Sequence, residues 1–484
     1  MRHRRLRDAL TLSVLLLGRL GAEEDVDVFV RDIQPALKEY CTECHRGRKA
    51  KAGVDLTTVT NSASFYANPK LWETVLRLVE ERQMPPADSD QPPEEARVKL
   101  RETLTHLLDE PDPRFVKLDP GTKVIHRLNR TEYNYTIRDL VGVDTRPADA
   151  FPADGGGGAG FDNNADTLFV PPVLMERYLA AADDILAAAA PERLFRVQPV
   201  WYRPDRQTAR MNLEWFAGRA FRRPAEPEEI QRLLRLYDRE RLKGAPWSQA
   251  LKGAYKAVLV SPRFLFRIER DRPGSEPWRL DPYELASRLS YFLWSSMPDD
   301  ALLAAAAEGS LHQPEVLEAQ VRRMLQDPKS RAFAEQFTSQ WLGTKALHTT
   351  VEPDRHKFPQ YTDSLRDAMA AEPVEFLASL LADNASALRL LDADYTFANA
   401  ELGRLYGLTN ITATQLVRVS LPDRRRGGIT GMAAVLTQTS YPLRTSPVLR
   451  GKWILEEVLG TPPPPPPPLV ATLSPDDKVQ EGLT

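Results

Sequence analysis

Between residues 26 and 40 the apolar positions Val26, Phe29, Val30, Ile33 and Leu37 recur three and four apart, which predicts one amphipathic helix. The spacing returns at 69–82, through Leu71, Trp72, Val75, Leu76 and Val79, with Asn68 placed to cap and proline in the first turn. A third stripe, Ala96, Leu100, Leu104, Leu107 and Leu108, predicts a helix over 93–108. Asn129 and Glu132 stand at capping-box spacing, and Tyr133, Ile137, Leu140 and Val141 follow as a buried face. Beyond Pro171 the pattern is almost entirely helical, over 174–190, 227–242, 247–260, 314–325, 330–342, 365–381, 399–406 and 449–460. Asp281-Pro-Tyr-Glu284 is a sharp helix start that leads into Leu285, Leu289, Phe292 and Leu293, and the cluster Tyr291, Phe292 and Trp294 reads as packing. Strands are hard to find. The predicted fold class is mainly α, a small N-terminal domain followed by a large multi-helical region.

At 484 residues the chain is too long for one core, and its 40 prolines imply many short elements joined by stiff connections. The expected division is 1–22, 23–112, 113–195, 196–272, 273–410 and 411–484. Residues 1–22 read as an export signal, with a basic start at Arg2, Arg4, Arg5 and Arg7, a short apolar core, and a small-residue end at Gly21-Ala22. That apolar run is far shorter than the roughly 20 residues a bilayer requires, so no transmembrane helix is expected in the mature chain. Arg4-Arg5 also admits a twin-arginine route, though the general route is the preferred reading. Losing residues 1–22 removes five arginines and one aspartate, taking the formal net charge from −3 to −7. A mildly acidic exported protein, in the periplasm or at the cell surface, is a poor candidate for nucleic acid.

The chain has only two cysteines, and both fall in Cys41-Thr-Glu-Cys44-His45. Two thiols at that spacing can add to the two vinyl groups of one haem, and the histidine after them can bind its iron. A thioredoxin-like pair needs a preceding strand, whereas a helix pattern precedes this one. A structural zinc site needs four ligands, and the next histidine is His106. Arg46 to Gly53 form a basic loop expected at the haem edge. Met84, followed by Pro85-Pro86, sits where a helix cannot continue, so its thioether is the candidate second axial ligand. The other reading of Met84 is a gap-filling core residue, and His106 is a weaker competitor for the iron. Methionine ligation raises the potential relative to two histidines, and a six-coordinate iron suits electron transfer.

Other segments carry weaker signals. The glycine-rich loop 151–166 lacks a following Gly-Lys-Ser/Thr, which argues against a phosphate loop. Its Asp154, Asp162, Asn163, Asn164 and Asp166 offer oxygen ligands for Ca²⁺, without EF-hand spacing, and a solvated turn is the plainer account. His126, His312, His348 and His356 are scattered, and only His348 and His356, flanking Glu352 and Asp354, suggest a weak metal site. Arg424-Arg425-Arg426 before Gly427-Gly428 reads as a solvated basic turn. Pro462 to Pro468 form a polyproline II rod, a spacer or docking strip, ahead of an acidic tail.

The order of these pieces resembles the large exported cytochrome c proteins typical of planctomycetes, in which a planctomycete cytochrome C domain precedes several domains of unknown function. The matching residues are Cys41 to His45, Met84-Pro-Pro86, Leu128 to Leu140, Gly160 to Asn163, Ser261 to Leu265, Leu285 to Trp294, Arg450 to Glu456 and the proline run. The resemblance implies one covalent haem c on Cys41, Cys44 and His45, with Met84 as an iron ligand. It supplies no reaction for the helical region. Relatives usually continue into a second haem-like segment, so a shortened form or a one-haem variant is expected. The expected function is transfer of single electrons to or from a periplasmic carrier or an oxidoreductase partner. The alternative is a haem-containing scaffold or redox sensor at the cell surface.

Overall fold

The computed structural model describes residues 27–116, 125–155, 160–272 and 277–463. The export signal expected at 1–22 and prolines 464–468 of the rod lie outside the described residues. The chain is mainly α-helical, with four short strands among the described residues. It groups into two compact units, one built from the chain up to Thr122 and one from the chain beyond it, save 275–277.

In the first unit a π-helical turn, Phe29–Ile33, runs into α1, Gln34–Tyr40. Its wider turn keeps Phe29, Ile33 and Leu37, four residues apart, on one buried face. Val30, expected on that face, is rotated outward and exposed. α2 spans Ser62–Tyr66 and α3 spans Pro69–Glu80, the latter capped by the Asn68 side chain on the Leu71 N–H at 3.3 Å. α4, Glu94–Asp109, returns Leu100, Leu104 and Leu107 to the same core. Phe29, Phe65 and Trp72 form its aromatic centre, with ring centroids 4.9 to 5.7 Å apart.

The second unit opens on β1, His126–Arg127, and α5, Arg130–Val141. The capping box is reciprocal: Asn129 Oδ1 accepts from the Glu132 N–H at 2.8 Å, and a Glu132 carboxylate oxygen accepts from the Asn129 N–H at 3.1 Å. α6 (Pro172–Ala188), α7 (Pro191–Leu194), α8 (Asp205–Ala220), α9 (Pro227–Leu242), α10 (Trp247–Leu259) and α11 (Pro262–Leu265) share one continuous core with α5. β2, Phe266–Arg267, pairs antiparallel with β1 and closes that segment on its own start.

α12 (Pro282–Trp294), α13 (Asp300–Ala307) and α14 (Pro314–Gln326) build a further cluster around Trp294, whose indole N–H donates to the Met324 carbonyl at 2.9 Å. Phe292, expected on the buried stripe of α12, is exposed and packs instead on Phe333 of α15, Arg331–Trp341. α16, Asp363–Ala382, carries Pro373 within it and lies against the antiparallel pair β3 (Tyr395–Ala398) and β4 (Val417–Ser420). α17 (Ala400–Tyr406), α18 (Ala433–Gln438) and α19 (Pro447–Trp453) complete the unit, the last running on into a π-helical turn, Ile454–Val458.

Candidate functional site

The cysteine motif follows the C-terminus of α1, where the Cys41 and Thr42 N–H groups both donate to the Leu37 carbonyl, at 3.0 and 2.9 Å. The chain then coils so that the His45 N–H reaches the Cys41 carbonyl at 3.0 Å. Two longer links fix the returning loop: Lys51 N–H to the Cys44 carbonyl and Leu56 N–H to the His45 carbonyl, both at 3.0 Å. Cys41, Cys44 and His45 are all half-buried, and the two thiols are unpaired.

His45 Nδ1 lies 3.3 Å from the Val54 carbonyl oxygen. A carbonyl oxygen only accepts, so this contact selects the tautomer protonated on Nδ1 and leaves the Nε2 lone pair available for a metal. Burial pushes the Cys41 thiol up to about 11. A thiol of that kind at a helix C-terminus is a poor redox nucleophile, whereas thiol–disulfide enzymes place theirs at a helix N-terminus to lower it. Nor does a zinc set assemble, since among the described residues no three or more His, Cys, Asp and Glu side chains gather as metal ligands.

Met84 is held by its backbone from two sides. At the end of α3 the Gln83 and Met84 N–H groups both donate to the Leu78 carbonyl, at 2.9 and 3.1 Å, and Arg82 takes a left-handed φ of 55° to turn the chain. From α4 the buried Arg97 donates to the Met84 carbonyl at 3.1 Å and to Gln91 Oε1 at 2.9 Å. The Met84–Pro85 peptide is cis, and the Met84 side chain is half-buried. His106 stands on the outer face of α4, exposed, 3.7 Å from Glu110.

A covalent haem fits the residues present. The donors are two free thiols, one imidazole with an open Nε2 and one thioether, all in the first unit. Cys41, Val54, Leu71, Val75 and Leu76 are apolar and only partly buried against its core, which leaves surface for a flat apolar group. The same core holds Trp72 Nε1, a buried donor without a hydrogen-bond partner among the described residues. Arg46, Arg48, Lys49 and Lys51 are exposed on the loop after the motif.

In the 151–166 loop several of the oxygens expected as Ca²⁺ ligands are engaged within the protein. Asp154 is buried, with Oδ1 on Arg127 at 2.5 Å and Oδ2 accepting the Arg130 N–H at 2.7 Å. Asp162 accepts from Asn129 Nδ2 at 2.8 Å and pairs with Lys345 at 3.0 Å. Asn164 caps the Asp166 N–H at 3.1 Å. Glycines 156–159 lie outside the described residues. The Asp154 and Asp162 oxygens thus meet cations and amides of the protein itself, which fastens the described parts of the loop. His348 and His356 do not converge: His348 faces Asp367 at 3.6 Å, Glu352 pairs with Arg355, and Asp354 accepts from the His356 N–H at 2.8 Å.

Two features escaped the pattern of the sequence. Arg426 is not a solvated turn residue; its guanidinium stacks on Tyr406 at 4.4 Å. Beneath that ring the fully buried Glu372 accepts from the Tyr406 hydroxyl and from Thr396 Oγ1, each at 2.5 Å, and burial pushes its carboxyl up to about 7. The spacing of residues 372, 396, 406 and 426 carries no local signal of this.

No helix among the described residues is long and apolar enough to cross a membrane. No curated protein and no solved structure matches the chain. Five family descriptions do. Residues 41–88, which hold the cysteine motif and Met84, match Planctomycete cytochrome C. Residues 126–191, 208–269, 280–408 and 426–484 match proteins of unknown function DUF1587, DUF1595, DUF1592 and DUF1588 in turn. The chain thus carries a Planctomycete cytochrome C segment followed by an ordered series of planctomycete-associated segments of unknown function.

Proposed function

We propose that the first unit is an exported haem c module that passes single electrons to or from a carrier or oxidoreductase partner outside the cytoplasm. The observation that carries the reading is the arrangement of Cys41, Cys44 and His45, with both thiols free and His45 fixed through Nδ1 on the Val54 carbonyl at 3.3 Å. Cys41 and Cys44 would hold the haem through thioether links, and His45 Nε2 and the Met84 sulfur would bind its iron. The bound haem supplies a one-electron Fe(III)/Fe(II) couple whose potential the methionine raises.

The protein's own residues keep that couple in one geometry. The Val54 carbonyl fixes the imidazole plane, and Arg97 with the Leu78 carbonyl anchors the backbone of Met84. Arg46, Arg48, Lys49 and Lys51 have no ion-pair partner among the described residues, so the loop presents a positive collar that favours an acidic redox partner.

The test is expression of the whole chain with haem-attachment machinery, followed by visible spectroscopy of the reduced protein. Sharp α and β bands that survive acid–acetone extraction are expected, and loss of both cysteines abolishes them. Met84→Ala should keep the covalent haem and lower its midpoint potential. A protein without extractable-resistant haem, or a Met84→Ala potential equal to that of the unaltered chain, refutes the module or its second ligand respectively.

A further inference from the structure

The second unit holds a cavity of about 420 Å³ that the electron relay does not use. Its walls come from the loop at 350–361, from α16 and from the stretch 426–450. Val351, Phe358, Leu365 and Met369 make it largely apolar. Its polar groups are unevenly signed. Arg426 and Arg450 line it, and its one acid wall residue, Glu352, is itself paired with Arg355 at 3.1 Å.

Arg426 is bonded to the Gly431 carbonyl at 3.2 Å and stacked on Tyr406, and Arg450 reaches Thr439 Oγ1 at 3.5 Å. Neither has a carboxylate within ion-pair distance among the described residues. Arg444 stacks on Tyr441, another wall residue, at 4.7 Å. One further group points to a ligand. Tyr361 is 5% exposed and lines the cavity, and its hydroxyl is buried with no hydrogen-bond partner among the described residues. A buried hydroxyl left unmade is costly, and a ligand oxygen at this wall would satisfy it.

We propose that this cavity binds an aromatic carboxylate of two or three rings. Arg450, with no carboxylate within ion-pair distance among the described residues, and Arg426, also on the wall, select a carboxylate, because planar bidentate pairing is strongest there. Phe358, Tyr361, Tyr441 and the Met369 thioether supply the faces and edges on which fused rings pack. Size sets the number of rings, since about 150 Å³ already accommodates benzene. The assignment is independent of the haem reading, which concerns the other unit.

The probe is 2-naphthoate, titrated into the full-length haem-loaded protein by calorimetry, with 2-naphthamide and octanoate as comparators. The acid should bind at least about tenfold more tightly than the amide, the factor that one charge-assisted contact supplies. Arg450→Gln should weaken naphthoate about tenfold and leave naphthamide unchanged. Leu405→Trp, at a half-exposed wall position, should fill the site and remove both. Circular dichroism checks each variant, and the acid–amide comparison needs no variant at all. Equal affinity for acid and amide, retained binding in Leu405→Trp, tighter binding of octanoate than of naphthoate, or no saturable binding at low millimolar naphthoate would each overturn the assignment.

Discussion

Arg97 sits 8% exposed in the first turn of α4, and its guanidinium holds the Met84 segment through the Met84 carbonyl and Gln91. Replacing it by a methionine of similar length leaves those acceptors unpaired, at a cost of about 1–3 kcal/mol. Arg97→Met should therefore speed amide exchange at Gln83 and Met84 before it affects the rest of the chain. Unchanged protection at those two amides would show that Arg97 does not hold them. Glu372 gives a second prediction at this scale. Its folded carboxyl titrates near 7 because burial outweighs the bonds from Thr396 and Tyr406 that favour the ionised form. The folded state keeps a proton that the unfolded chain releases near pH 4.5, so this group's stabilisation is complete below that pH and is lost as pH rises to about 7. The loss is on the order of 3 kcal/mol for a shift of this size. Glu372→Gln, neutral throughout, should flatten the fall in stability of the second unit between pH 4.5 and 7, read as denaturation midpoints against pH. A slope equal to that of the unaltered chain would contradict the buried, proton-holding assignment.

Among the elements, Gly428 carries the sharpest constraint. Its φ of 71° with ψ of −176° is a conformation that side chains other than glycine's avoid. A Cβ there would overlap the Leu390 carbonyl oxygen and stand 2.6 Å from the Leu391 carbonyl group, both backbone atoms that cannot rotate away. Gly428→Ala should cost at least about 3 kcal/mol, the sum of strain and overlap, and lower the melting temperature of the second unit. An alanine variant that melts like the unaltered protein would mean that the 390–391 and 428 segments do not approach so closely. The sequence shows a glycine pair after three arginines and suggests a solvated turn, because the partner backbone lies almost forty residues away. Caps are legible for the opposite reason. Asn129 with Glu132 and Asp281 with Glu284 close their bonds within three residues, so their spacing alone states the helix start. α8 carries no such signal: it buries Thr208 and Asn212 beside small alanines, and the contrast between its faces is too weak to read. β3 and β4, four residues each, are fixed by their pairing and by α16 rather than by alternation.

For the whole molecule the consequence is that the first unit and the helical region are separable in stability. Each unit closes its own core: Phe29, Phe65, Trp72 and the leucines of α4 belong only to the first, and the clusters from Leu128 onward only to the second. A domain as small as the first buries a modest share of its surface and stands near the limit of independent stability. On the proposed haem reading, the thioether links would be present in folded and unfolded chain alike, so any gain on folding would come from burying the haem and from ligation by His45 and Met84. Substituting alanine for both Cys41 and Cys44 should remove several kcal/mol from the first unit and nothing from the second. In a domain of this size each kcal/mol moves the melting temperature by about 4–8 °C, so the shift should exceed about 10 °C. Differential scanning calorimetry of the full chain should accordingly show two transitions, of which only one moves, with hydrogen exchange assigning the moving one to residues before 117. A single transition that shifts as a whole would show instead that the two units unfold as one body and that haem stabilises the entire chain.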